Sequence, residues 1–221
     1  MEREINLNEI SDGRLYSSND MVKADCHDCQ GCSDCCRGMG TSVILDPLDV
    51  HRLCVNLEES VESLMRNYLQ LNLVDGVILP NLSMAGETES CGFLTEEGRC
   101  RIHSFRPGIC RLFPLGRFYE DRSYRYFLQI HECKQEPKAK VKVRKWIDTQ
   151  DFKTYEKFVA DWHYLLKDLQ ALEQKKQNPE LPKKISLYVL QNFYLKPYKK
   201  EEDFYEQFYQ RMEKAKEIWG V

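Results

Sequence analysis

Cys26-His27-Asp28-Cys29-Gln30-Gly31-Cys32-Ser33-Asp34-Cys35-Cys36 sets four cysteines at two-residue gaps and then doubles the last. Thiolates spaced this way converge on one centre when the backbone between them curls. Gly31 and Gly38 supply the freedom that tight, left-handed turns demand. A second group, Cys91, Cys100, Cys110 and Cys133, is spread along the chain, so only the fold can bring it in. The tenth cysteine, Cys54, stands in the apolar helical context DVHRLCVNL and reads as a small buried hydrophobe. The last 88 residues contain no cysteine. The start, MEREINLNEI, shows no basic segment followed by an apolar stretch, so the expected compartment is the cytoplasm. There thiols stay reduced, and a dense cysteine set reads as metal-binding or redox chemistry rather than disulfides.

Composition narrows the classes further. With 42% apolar and 30% charged residues the chain of 221 residues is expected to form a globular core. No apolar run approaches the ~20 residues of a membrane helix. Residues 1–137 carry 14 Lys+Arg against 22 Asp+Glu, and the remainder 18 against 13. An acidic front argues against a nucleic-acid partner there. GxSxG, HExxH, a phosphate-cradling GxxxxGK[ST] and a complete GxGxxG are all absent. Cys26, Cys29, Cys32 and Cys36 match the C-x2-C-x2-C-x3-C spacing of bacterial ferredoxins, but Arg37 replaces the following proline and no second run exists. A ferredoxin fold is therefore not expected.

Cys29-x2-Cys32-x2-Cys35-Cys36-Arg37, then Cys91-Gly-Phe-Leu-Thr-Glu-Glu-Gly-Arg-Cys100-Arg-Ile-His103, then Arg106-Pro107-Gly-Ile-Cys110-Arg111-Leu112-Phe113-Pro114, occur in that order. Over roughly residues 26–135 the chain resembles the YkgJ-type CxxCxxCC cysteine-cluster family, described as zinc- or iron-chelating proteins. That family is similar in turn to the cysteine-rich part of flagellin lysine N-methylases, which implies an iron–sulfur cluster and S-adenosylmethionine. The chain is much shorter than those methylases, and Cys26 precedes the family signature. The expected metal ligands are Cys29, Cys32, Cys35, Cys36, Cys91, Cys100, Cys110 and Cys133. The expected centre is a [4Fe–4S] cluster, with zinc as the alternative. S-adenosylmethionine-dependent methyl transfer and a structural zinc module offering a helical surface to a protein partner are the competing functions. His27 and His131 are weaker ligand candidates. Arg37, Arg106 and Arg111 flank the thiolates, where guanidinium groups offset negative charge.

The expected fold class is α+β. Residues 1–25 read as an N-terminal arm, 26–137 as a metal-binding region of short strands and helices, and 138–221 as a helical segment packed on it. Residues 41–45 read as a short strand. Asp46-Pro47 reads as a helix start, with aspartate at the N-cap and proline at the first position. Leu57, Val61, Leu64, Met65, Tyr68 and Leu71 share a helical face across 57–73, ended by Gly76. Val77 to Leu79 reads as a strand. Hairpins are expected across Glu97-Gly98 and across residues 120–123. The strip KAKVKVRK, 138–145, reads as a solvated linker or edge strand. Residues 148–174, 183–195 and 201–219 read as helices whose aromatic stripes are core.

Overall fold

The computed structural model describes residues 6–26, 32–176 and 178–221. It is α+β, with antiparallel two-stranded sheets and a helical C-terminal part. In chain order, α1 (Leu7–Ile10) leads to β1 (Met21–Asp25), and a 3-10 turn covers Asp34–Cys36. Helices α2 (Pro47–Leu57) and α3 (Val61–Asn67) precede β2 (Leu69–Val74) and β3 (Val77–Leu82). Short β4 (Met84–Ala85) and β5 (Ser90–Cys91) follow, then a 3-10 turn, His103–Phe105, and α4 (Gly108–Leu112). After β6 (Leu115–Glu120), β7 (Ser123–Leu128) and β8 (Ala139–Lys142) come α5 (Val143–Ile147), α6 (Phe152–Lys176), α7 (Leu181–Val189) and α8 (Phe204–Trp219). A π-helical stretch, Leu190–Leu195, extends α7.

The chain forms two compact units, each assembled from separated segments. One comprises Thr41–Ser83 and Asp161–Val221, and the other Glu2–Gly40 and Met84–Ala160. In the first, α2 starts as its sequence demands. Asp46 caps the helix by accepting from the Asp49 N–H at 2.8 Å, Asp49 answers the Asp46 N–H, and Pro47 occupies the first turn. Helix α3 stops at Asn67, so the face expected to run to Leu71 is broken. Leu69 and Leu71 sit in β2, and Leu71 is exposed. The reason is Asp75-Gly76, whose φ values of 48° and 86° make a two-residue hairpin turn instead of a helix stop. Residues 41–45 do not form a strand of their own. They run extended beside β3 through one bridge, Ile44 to Asn81.

The core of this unit is helical packing on the β3 face. Ile78 N–H donates to Ser186 Oγ at 3.1 Å, tying β3 to α7. Tyr194 O–H donates to the Leu45 carbonyl at 2.9 Å, satisfying a buried acceptor. Trp162 packs against Phe193, Tyr194 and Phe208, with ring centroids 5.0–6.0 Å apart. Trp162, Phe193, Phe204 and Phe208 are buried, so these aromatics of the stripes are core. His51 stacks on Phe204 at 5.2 Å, and burial lowers its pKa.

Among the described residues the other unit has three antiparallel pairs, the short β4–β5 and two longer ones. In the first of the longer ones, β1 pairs with β8, Met21 opposite Lys142, so the basic strip is partly a strand. The second is the β6–β7 hairpin, which turns at Asp121-Arg122, both in the left-handed region. Tyr16 joins this hairpin through a bridge to Tyr126. Tyr126 O–H in turn donates to Glu156 Oε1 at 3.0 Å, at the start of α6.

Candidate metal centre

Nine cysteines lie among the described residues. Eight of them belong to the unit containing Glu2–Gly40 and Met84–Ala160. Cys54 belongs to the other, on α2, where burial pushes its thiol up to about 11. Cys29 and His27 lie outside the described residues.

Local structure explains how distant cysteines meet. Ser33-Asp34 turns into the short 3-10 helix that carries Cys35 and Cys36. Gly38, at φ 65°, then lets the chain reverse, and its N–H donates to the Glu89 carbonyl at 3.0 Å. The Arg37–Ser90 bridge follows, which sets the Cys35-Cys36 turn alongside β5 and Cys91. Cys100 arrives by the turn at Glu97-Gly98. There the Thr95 N–H donates to the Arg99 carbonyl at 2.8 Å, and Leu94 bridges Cys100. The His103 N–H closes the next turn on the Cys100 carbonyl at 3.2 Å.

Cys35, Cys36, Cys91 and Cys100 therefore form one thiol group, each within electrostatic reach of others in the set. The Cys36 S–H donates to Cys35, which together with nearby Arg106 holds the Cys35 thiol down at about 7 despite its burial. Cys36 is pushed up by giving that hydrogen bond, by burial and by its neighbouring sulfurs. Burial also raises Cys91 and Cys100, Arg106 partly opposing it at Cys100. In the metal-free protein, alkylation of Cys35 is expected to rise with pH to a half-maximal rate near pH 7. Cys36, Cys91 and Cys100 should stay slow until well above it, because only the thiolate reacts. Peptide mass spectrometry across pH 5–10 reads this, and equal rates for all four at every pH would contradict it.

The three arginines divide the work. Arg106 faces the thiols, with Nη1 on His103 Nε2 at 3.0 Å and Nε buried without a hydrogen-bond partner. Arg37 spends its guanidinium on Ser90 Oγ at 2.7 Å, Thr88 and Ser33. Arg111 is buried and donates to the carbonyls of Ser104, Arg106 and Asp148, so it pins the Arg106 segment. His103 was not singled out by sequence reasoning. Its signal was its place directly after Cys100-Arg-Ile.

The remaining cysteines are placed as follows. Cys110 sits half-buried on α4, beside Arg111. Cys26, Cys32 and Cys133 line one cavity together with Cys35. His131 is exposed. Among the described residues no three His, Cys, Asp or Glu side chains already converge in the arrangement of a metal site. The donor chemistry nonetheless fits a thiophilic metal. Cys35, Cys36, Cys91 and Cys100 are thiols carried on adjoining turns, and the Nε of Arg106 is buried without a hydrogen-bond partner. Among the described residues, no helix is long and apolar enough to cross a membrane.

A family model described as "CxxCxxCC: Putative zinc- or iron-chelating domain" matches residues 28–146, just over half of the chain. Neither the curated proteins nor the solved structures gave a match.

Proposed function

Because the chain belongs to the CxxCxxCC family of zinc- or iron-chelating domains, we propose that its thiol group Cys35, Cys36, Cys91 and Cys100 holds a [4Fe–4S] cluster. The observation that carries this reading is the pair of bridges, Arg37 to Ser90 and Leu94 to Cys100, that brings the turns of these four thiols together, with the buried, unpartnered Nε of Arg106 in the segment that follows. Four cysteine thiolates are the complement such a cluster takes. A thiolate-bound cluster is anionic and offers sulfur acceptors, which a guanidinium N–H both neutralises and satisfies. The adjacent pair Cys35-Cys36 suits a centre with several iron corners facing one loop. Cys29, Cys32, Cys110 and Cys133 complete the proposed set of metal-ligating thiols in the sequence.

When bound, the cluster supplies electron-transfer capacity or a rigid cross-link between the 3-10 turn, β5 and the Cys100 turn. The chain's own residues position those thiols. Arg111 fixes the Arg106 backbone, His103 holds the Arg106 side chain, and Arg37 fastens the first turn to the Thr88–Ser90 segment. The compartment on this reading is the cytoplasm, where free thiols persist. Nothing in the match or around the thiols supports S-adenosylmethionine.

Substitution of one ligand tests the assignment. C100S is expected to lose most of the iron and sulfide of the anaerobically purified protein, while C54S keeps both. Iron and sulfide unchanged in C100S would remove these four thiols as the site.

A further inference from the structure

The β2–β3 hairpin has one closed edge and one open edge. On the far side of β3, the Ile78 N–H donates to Ser186 Oγ at 3.1 Å. There too the Pro80 carbonyl accepts from the Leu45 N–H at 2.9 Å, and the Leu82 N–H donates to the Val43 carbonyl at 3.0 Å. Residues opposite each other in an antiparallel pair either bond each other or both turn their backbone groups away. Ile78, Pro80 and Leu82 stand opposite Leu73, Leu71 and Leu69. These three leucines therefore aim their N–H and C=O groups at the other edge of the hairpin. Among the described residues no backbone group of another element bonds Leu71 or Leu73 there.

The strand also lacks the devices that blunt a free edge. LQLNLV, 69–74, holds no charge and no proline, and its register with β3 has no bulge. Leu71 and Leu73 are 48% and 72% exposed. Charge sits beyond the two ends, with opposite signs. Arg66, exposed, is in the last turn of α3 ahead of the strand. Asp75 follows the strand, and the Glu173 carboxylate reaches the same turn: a β-carbon on Gly76 would stand 2.8 Å from its Oε2. Glu173 Oε1 is buried and accepts no hydrogen bond among the described residues, a costly state for an acceptor held out of water.

The edge thus calls for a neutral strand with apolar side chains, running the opposite way and bringing a cation to the Asp75 end. The strand that answers each demand is β2 itself. We infer that β2 pairs antiparallel with β2 of a second copy of this chain, joining two hairpins into one four-stranded sheet. Leu71 of one copy exchanges its outward backbone bonds with Leu73 of the other, and their side chains cover each other on one face. Arg66 of each copy comes to the end that holds Asp75 and Glu173 of the other, whereas a parallel pairing would set like charges together. The contact is isologous and closes at two copies, because each hairpin has one open edge. Neither thiol nor metal enters this inference, so it stands apart from the cluster reading.

The test uses the full chain and its L73K variant. Sedimentation over a range of concentrations gives the oligomeric state, and amide exchange resolved to single residues reads the edge. The parent is expected to be a dimer in which the Leu71 and Leu73 amides are protected, the protection falling on dilution. L73K should be a monomer in which the Leu71 amide is open while that of Leu79 stays protected, which shows the hairpin intact. Should L73K unfold, the dilution series on the parent decides alone. A parent that is monomeric throughout overturns the inference, including one whose Leu71 and Leu73 amides are protected by another segment of the same chain. A dimer whose Leu71 and Leu73 amides exchange freely overturns it as well, since the copies would then meet elsewhere.

Discussion

Stripping the metal with a chelator is expected to open residues 84–135 to amide exchange while α7 and α8 stay protected. The thiols of this region sit on short elements, Cys91 on the two-residue β5 and Cys110 on the five-residue α4. The 3-10 turn at Asp34–Cys36 and the one at His103–Phe105 contain no fully buried residue. Such turns gain their order from what they bind. Structural thiolate sites contribute on the order of 10 kcal/mol to folding, comparable to the whole stability of a domain. By contrast α7, its π-helical extension and α8 bury Ile185, Val189, Phe193 and Phe208 completely. Hydrogen exchange with mass spectrometry, run with and without chelator, reads both regions in one experiment. Exchange that rises first in 181–219, or no change in 84–135, would contradict the coupling of metal to fold.

The second large effect concerns the other unit. A chain ending at residue 160 is expected to leave 41–83 unfolded. Helix α2, the residue before its cap and strand β3 bury Leu53, Leu45, Leu79 and Leu82 in the unit that Asp161–Val221 completes. Tyr194 and Ser186 satisfy backbone groups of Leu45 and Ile78. Losing four fully buried side chains at about 1.5–3 kcal/mol each removes as much free energy as a domain of ordinary stability holds, about 5–15 kcal/mol. The truncated chain should show exchange without protection across 47–82 and should associate through the uncovered apolar face. A truncated chain that stays monomeric with 47–82 protected would mean that α2 to β3 forms a core by itself.

Much of this was legible wherever the chemistry is local. Asp46-Pro47 announced α2, since an N-cap carboxylate and a proline at the first position act within one turn. The hairpin at 120–123 followed from its turn residues and α6 and α8 from their aromatic period, whereas Glu97-Gly98 made a turn closed by one bridge, Leu94 to Cys100, and no paired strands. Asp75-Gly76 was misread because a glycine after a periodic apolar run also ends helices, and Leu69 and Leu71 fit either period over so short a stretch. The partnership of 41–83 with 161–221 was not legible, because no local pattern encodes contact between segments so far apart. The site divides in the same way. The cysteines themselves stood out by spacing, but the grouping of Cys35 and Cys36 with Cys91 and Cys100 depends on the Arg37–Ser90 bridge, a long-range pairing. Of the three arginines singled out beside cysteine, Arg106 is the one that acts on Cys35 and Cys100. Arg111 turned out to serve three carbonyls, a role that sequence does not distinguish from the first.

The most direct measurement is the elemental content of the full chain purified without oxygen: iron, zinc and acid-labile sulfide per chain, taken with the visible spectrum. A [4Fe–4S] cluster on Cys35, Cys36, Cys91 and Cys100 predicts brown protein with iron and sulfide in equal amounts, about four of each. Colourless protein that carries zinc and no sulfide would contradict the cluster.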